Sequence, residues 1–263
     1  PHPGKPTIES GTLENPLAQS YEAMCLILFS INGGSHRLVV AANRDELYAR
    51  PSARADFWGD HPGVLGGRDL SLGGTWLGIN RNGRFAAVTN FREPPPDPLP
   101  PRSRGDLTRN FLTGTEDPYT YLASLDADAS DYRGFNLVVG DGTRFFYYCN
   151  RSREIVELGD GTYGLSNQLL NCEWPKVVSG SARLAYLQST DFCANDLFTL
   201  ISDGQGSSEP FSAPFISSAE YGTCASTVLT VSQSGEVYFE ERGYATGGAA
   251  DGVVSYRFEV CGD

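Results

Sequence analysis

Four times along this chain, two short apolar, β-prone runs flank a tight Gly/Asn/Asp-rich turn, and strands joined by so short a link can only pair antiparallel. Leu26–Ile31 and Arg37–Ala42 enclose Asn32-Gly33-Gly34-Ser35, and Trp76–Ile79 and Arg84–Val88 enclose Asn80-Arg81-Asn82-Gly83. Phe135–Val139 and Arg144–Tyr148 flank Asp141-Gly142-Thr143, and Thr227–Val231 and Val237–Glu241 flank Gln233-Ser234-Gly235. Between the second and fourth hairpins, Leu107–Leu112, Pro118–Leu125, Lys176–Leu187 and Asn195–Ile201 carry apolar residues at helical spacing. Hairpins with helices grouped between them predict an α+β fold of layered antiparallel sheets. These signals run from Cys25 to the end without a long linker, so residues 24–263 read as a single domain.

The only methionine is Met24, and Cys25 follows it at the head of the first strand. This pattern makes Met24 the natural start and residues 1–23 a disordered leader or upstream extension. If Met24 is removed, Cys25 carries a thiol and a free α-amine on one carbon: a nucleophile with its own base. The plain alternative is a cysteine that packs as the first core residue of a strand.

Charge and residue usage narrow the chemistry. The net charge is −12, of which one lysine and three acids in residues 1–23 account for −2, leaving −10 on the body. Such a surface repels phosphate backbones and anionic membranes, so nucleic acid is not an expected partner. No apolar run approaches the roughly 20 residues of a transmembrane segment. Residues 1–23 lack the basic and apolar regions of a secretion signal. The six cysteines form no C-x-x-C pair and read as free thiols of a reducing, cytoplasmic compartment. Only His2, His36 and His61 are available, which leaves a Ser-His-Asp triad or a histidine metal site almost nothing to draw on. No metal or cofactor is expected.

Hairpin register turns spacing into a site. With the first turn centred near Gly33–Gly34, residue 25 is expected opposite residue 42 or 43, within cross-strand reach of Asn43-Arg44-Asp45-Glu46. A guanidinium there would lower the thiol pKa, and a carboxylate would hold an α-ammonium. Gly66-Gly67 and Gly73-Gly74 belong to no phosphate-binding motif and read as tight turns or close backbone approaches. Trp76 reads first as core, opening its strand. The proline stretch 94–101 reads as a stiff surface loop that could wall a pocket next to Asn90, or less directly as a polyproline ligand.

Met24-Cys25-Leu26-Ile27, Ala42-Asn43-Arg44-Asp45-Glu46, Leu65-Gly66-Gly67-Arg68-Asp69 and Gly73-Gly74-Thr75-Trp76-Leu77-Gly78 resemble the NRDE family, also called the transport and Golgi organisation protein 2 family. Further matches are Ala86–Arg92, Gly134–Leu137, Tyr163–Asn167 and Tyr221-Gly222-Thr223, so the resemblance extends from Met24 to Arg242. It implies a four-layer αββα sandwich of the N-terminal-nucleophile type, two antiparallel sheets flanked by helices. By similarity to the bile-salt-hydrolase and penicillin-acylase branch of that fold, Cys25 matches the nucleophile. Arg44 and Asp45 resemble the Arg and Asp that follow it, with Asn43 beside them among the candidate catalytic residues. Asn90 and Asn167 resemble the two oxyanion-side amides. Glu46, Arg68, Trp76, Phe91 and Arg92 are the candidate substrate contacts. The family usually has Arg after Tyr-Gly-Thr, where this chain has Cys224.

Three functions stay open on the sequence. One is a cysteine amidohydrolase acting on a linear amide or acyl substrate. Another is a non-catalytic carrier of a lipid, acyl-CoA or haem-like ligand, in line with the family name. The third is a scaffold recruiting partners through the proline loop. Oligomeric state is not legible.

Overall fold

The computed structural model describes residues 24–94, 98–202 and 212–261. Residues 1–23, on which the leader expectation falls, and Pro95, Pro96 and Asp97 of the proline stretch lie outside the described residues. The first strands are β1 (Leu26–Gly33), β2 (His36–Leu47), β3 (Ser52–Phe57), β4 (Val64–Asp69), β5 (Leu77–Asn80) and β6 (Phe85–Asn90). Helices α1 (Gly105–Thr113) and α2 (Pro118–Ala127) follow, then β7 (Phe135–Gly140), β8 (Phe145–Cys149), β9 (Glu154–Leu158) and β10 (Gly161–Leu165). The rest is α3 (Pro175–Gln188), α4 (Ala194–Ser202), β11 (Tyr221–Ser232), β12 (Glu236–Ala245) and β13 (Ala249–Glu259).

The middles of β1 and β2 are apolar on both faces because these strands are covered on both sides. Side chains alternate across a strand. In β1, Ile27, Phe29 and Ile31 enter one core cluster, while Leu26 and Leu28 enter another. In β2, Leu38, Val40 and Ala42 join the first cluster, and Val39 and Ala41 the second. The first cluster lies between two antiparallel sheets, ordered β10-β1-β2-β11-β12-β13 and β3-β4-β5-β6-β7-β8-β9. Helices α3 and α4 cover the outer face of the six-stranded sheet through Val177, Leu184, Leu197 and Ile201. Helices α1 and α2 cover the seven-stranded sheet through Leu107, Phe111, Leu112 and Leu122. The layer order is αββα, as expected.

All four expected hairpins and all four expected helices are present. Helix α2 starts as its sequence dictates: Asp117 accepts from the N–H groups of Tyr119 and Thr120, both at 3.1 Å, with Pro118 in the first turn. Three details differ from the sequence reading. The first hairpin closes on the pair Gly33–His36, so Leu26 lies opposite Asn43 and Cys25 faces Arg44, one to two residues further along than expected. Gly66 and Gly67 lie inside β4 and make no turn; a Cβ on Gly67 would enter the Trp76 ring, so the close-approach reading holds. Trp76 stands just before β5, which begins at Leu77.

The amino end of α1 docks on the segment before β5. Thr75 N–H donates to the Gly105 carbonyl at 3.2 Å, and Thr108 Oγ1 donates to the Thr75 carbonyl. Gly74 and Gly105 touch backbone to backbone, and a Cβ on Gly74 would overlap the Gly105 carbonyl carbon. Gly74→Ala is therefore expected to destabilise the fold by about 1–3 kcal/mol through overpacking. Urea denaturation measures this, and an unchanged midpoint would show that α1 is not seated on Gly74.

Candidate active site

Strand alternation sorts the tetrapeptide at the end of β2. Ala42 faces the inter-sheet core, so Arg44 and Glu46 share its face, while Asn43 and Asp45 point to the helix side. Asn43 is buried there, its Nδ2 donating to the carbonyls of Ile201 (2.8 Å) and Pro214 (2.7 Å) and its Oδ1 accepting from Ser226 (2.6 Å). That amide is fully used in tying β2 to α4 and β11, and it does not reach the cleft.

Cys25 sits at the mouth of β1 against the Asp45 backbone. Asp45 N–H donates to Cys25 Sγ at 3.4 Å, and Sγ lies 3.7 Å from the Asp45 carbonyl. The Asp45 carboxyl is 1 % exposed. Its Oδ1 accepts from Thr223 Oγ1 at 2.7 Å, and its Oδ2 is buried with no hydrogen-bond partner among the described residues. A bulge in β11 between Thr223 and Ala225 sets this up, placing Thr223 opposite Asp45 and leaving Cys224 as the extra residue. Burial pushes the Asp45 carboxyl up to about 6, against the pull of Lys176, Thr223 and Arg44. Burial likewise pushes the Cys25 thiol up to about 12, and the Asp45 charge adds to the rise.

Lys176, from the first turn of α3, completes this inner group. It is buried, donates to the Met24 carbonyl, and is pulled down by burial against the field of Asp45 and Cys25. Met24 N–H donates to the Tyr221 hydroxyl at 2.7 Å. The bond between Met24 and Cys25 is therefore held from both sides by buried polar groups.

A second set of bonds brings the other sheet to Cys25. Ser166 Oγ donates to the Cys25 carbonyl at 2.6 Å, and Thr89 Oγ1 donates to the Ser166 carbonyl at 2.6 Å. Asn167 Nδ2 donates to the Asn90 carbonyl at 2.9 Å, and Arg92 N–H donates to the Asn167 carbonyl at 2.7 Å. Asn167 is thus buried behind Asn90, and Asn90 lines the cleft with Cys25.

That cleft, about 260 Å³, is walled by Cys25, Arg44, Asp45, Glu46, Trp76 and Asn90, together with residues of the 99–105 segment and Arg133. Arg44 stacks over Trp76 at 4.5 Å and lies 3.5 Å from Glu46. Arg50 pairs with Asp69 at 2.5 Å. Burial alone would raise the Asp69 carboxyl, yet Arg50 and the N–H groups of Ser71 and Leu72 hold it below its ordinary range. The remaining expected contacts lie elsewhere. Arg68 pairs with Asp60 at 2.8 Å and stacks on Trp58, Phe91 packs against the inter-sheet core, and neither Phe91 nor Arg92 lines the cleft.

Sequence reasoning brought together Cys25, Arg44, Asp45, Glu46, Trp76 and Asn90, and did not reach Lys176, Thr223, Ser166, Arg104 or Arg133. A signal for Lys176 existed: a lysine in a helix's first turn opposes the macrodipole. Among the described residues no group of three or more His, Cys, Asp or Glu is placed to hold a metal ion. Among them, too, no helix is long and apolar enough to cross a membrane.

Residues 24–246 match the family described as Transport and Golgi organisation 2. The Mus musculus Transport and Golgi organization 2 homolog is 36% identical, over 83% of this chain and 92% of its own. The Bos taurus homolog is 37% identical with the same coverage. Among solved structures, the Caenorhabditis elegans N-acylethanolamine-hydrolyzing acid amidase ortholog aligns with a TM-score of 0.44 and 10% identity, over 78% of this chain and 92% of that one. The layer order given above rests on strand pairing and not on that likeness. By the extent of the match and the identity to its relatives, this chain belongs to the Transport and Golgi organisation 2 family.

Proposed function

We propose that the cleft is the active site of a cysteine N-terminal-nucleophile amidohydrolase that acts on a linear amide or acyl substrate once Cys25 is the first residue. The observation that carries this reading is Asp45 Oδ2, a buried carboxylate oxygen with no partner, on the residue whose backbone brackets Cys25 Sγ. A buried carboxylate left half-satisfied is costly. A free α-amine on Cys25 would supply the missing donor, as a neutral base at rest and as an ammonium once it has taken the thiol proton.

In this mechanism the thiol proton passes to the α-amine, and the thiolate attacks the substrate carbonyl. Asp45 orients the amine, while the nearby Lys176 charge opposes its protonation and keeps it a base; a free α-amine titrates at about 7.7–8.0. The Asn90 amide donates to the oxyanion, with Asn167 as the residue that positions it through the Asn90 carbonyl. The ammonium then protonates the leaving amine, and water cleaves the resulting thioester to release the acid. Arg44, stacked on Trp76 and paired with Glu46, walls the substrate. The six free cysteines support a cytoplasmic setting.

The carrier reading has one observation in its favour. While the bond to Met24 is intact, Cys25 has an amide in place of the amine and a thiol pushed up to about 12. Such a cleft would hold a lipid, acyl-CoA or haem-like ligand without turning it over.

One prediction separates these readings, and a second tests the buried carboxylate on which the first reading rests. In protein beginning at Cys25, Cys25→Ala should lower hydrolysis of acyl amides by about 10⁴-fold or more. Turnover unchanged by Cys25→Ala would clear the thiol of a nucleophilic role, and Cys25-independent ligand binding without turnover would favour the carrier. The second prediction concerns stability while Met24 is retained. The Asp45 carboxyl moves from 3.8 to about 6 on folding. The stability contributed by its neutral form is present below pH 3.8 and is lost as the pH rises through 6, a total of about 3 kcal/mol. Asp45→Asn should therefore stabilise this form by up to about 3 kcal/mol above pH 7 and by almost nothing near pH 3.5. Thermal denaturation across that range checks the sign; a pH-independent difference would refute the buried-carboxylate account.

A further inference from the structure

Two arginines in the cleft have no counter-ion among the described residues, on a protein whose net charge is −12. Of the five that line it, Arg44 meets Glu46, Arg50 meets Asp69, and Arg102 meets Asp128 at 3.0 Å. Arg104 and Arg133 pair with no acid among the described residues. Among the described residues Arg104 Nη1 donates to the Gly134 carbonyl alone, at 3.1 Å, and Arg133 Nε is buried without a hydrogen-bond partner. Burial and the neighbouring Arg133 charge pull the Arg104 guanidinium down to about 10. Two like charges brought together under partial burial are unfavourable unless an anion is bound between them. Guanidinium forks match a carboxylate in two-point geometry.

Part of the cleft lining is apolar. Leu72 and Leu99, 55% and 64% exposed, both border the same cleft, as do Trp76 and Val88. An exposed pair of leucines at the rim of a charged cleft suits a hydrocarbon chain. Cys25 lines the cleft together with these two surfaces.

We propose that Arg104 and Arg133 form a carboxylate subsite, and that the substrate is an N-acyl amino acid: acyl chain on Leu72 and Leu99, amide at Cys25, carboxylate on the guanidinium pair. The substrate class rests on the hydrolase reading; the anion subsite does not. The step balances as simple hydrolysis: the amide C–N bond breaks, a thioester to Cys25 forms and is cleaved by water, and the amino acid leaves with the proton carried by the α-amine.

The test compares N-octanoylglycine with the neutral N-octanoylethanolamine, using protein that begins at Cys25 and its Cys25→Ala, Arg133→Gln, Arg133→Lys and Arg104→Gln variants. The glycine conjugate should be preferred in kcat/KM by about 30-fold. Arg133→Gln and Arg104→Gln should each bring that preference near unity, while Arg133→Lys, which keeps the cation, retains part of it. Equal turnover of the two probes, or a preference that survives both glutamine variants, overturns the subsite and leaves the hydrolase standing. No turnover of either probe, with N-octanoylglycine bound preferentially by the Cys25→Ala protein in an Arg133-dependent manner, upholds the subsite and overturns the hydrolase. Neither turnover nor a binding preference overturns both. Because the readout is a ratio between two probes on one protein, a general loss of folded protein in a variant does not mimic the expected result.

Discussion

Strand β2 runs through twelve residues with neighbours on both sides, and its pleat assigns each side chain to a layer before any catalytic question arises. Leu38, Val40 and Ala42 fill the space between the sheets, so two residues on Arg44 must project the same way, into the cleft. Asn43 must project toward the helices, where α4 and the Ser226 hydroxyl use its amide. A slip of one residue would exchange the two sets and bury a guanidinium under α4. The register is held against such a slip by pairing with β1 on one side and β11 on the other. The β11 bulge then aims Thr223 at Asp45 without disturbing the pairs on either side.

Polar burial at the site is costly. Asp45 and Lys176 are both buried, and the Asp45 carboxyl keeps one oxygen without a partner among the described residues. The apolar clusters on either side of each sheet supply the surplus that tolerates this, since a fully buried Leu or Phe contributes about 1.5–3 kcal/mol. A chain selected for stability alone would place apolar side chains at such positions. Retention of a buried, half-satisfied carboxyl beside a thiol is the physical argument for function there.

The hairpins and helices were legible because each is a local pattern of turn residues and period. The strands that escaped sequence reading carry such a pattern only in part. The first five residues of β13 are exposed and include Gly252 at φ +84°, and the alternation that packs Val254, Tyr256 and Phe258 against the inter-sheet core fills only its second half. β4 holds Gly66 and Gly67, residues that weaken a strand, and they are there because the Trp76 ring and the Leu77 backbone lie against them. β10 has only two buried residues, yet it edges the six-stranded sheet and delivers Ser166 and Asn167 to Cys25 and Asn90. Its pairing with β1 joins segments far apart in the chain, which spacing rules cannot see.

The same limit explains the site. Cys25, Arg44, Asp45 and Glu46 lie on one hairpin and were found through its register, even with the pairing displaced by a residue or two. Lys176, Thr223, Arg104 and Arg133 come from four other places and meet only in the folded chain. Two of them nonetheless violate local preference in the same way. Lys176 stands in the first turn of α3, and Arg104 caps α1 without a side-chain cap bond, so each puts a cation at the positive end of a helix. Local rules are expected to fail where a site imposes its own requirements. Both misfits border the Cys25 region, Lys176 through the Met24 carbonyl and Arg104 through the cleft that Cys25 lines, so these charges stand at helix ends that oppose them and next to the one group of polar residues that could call for them.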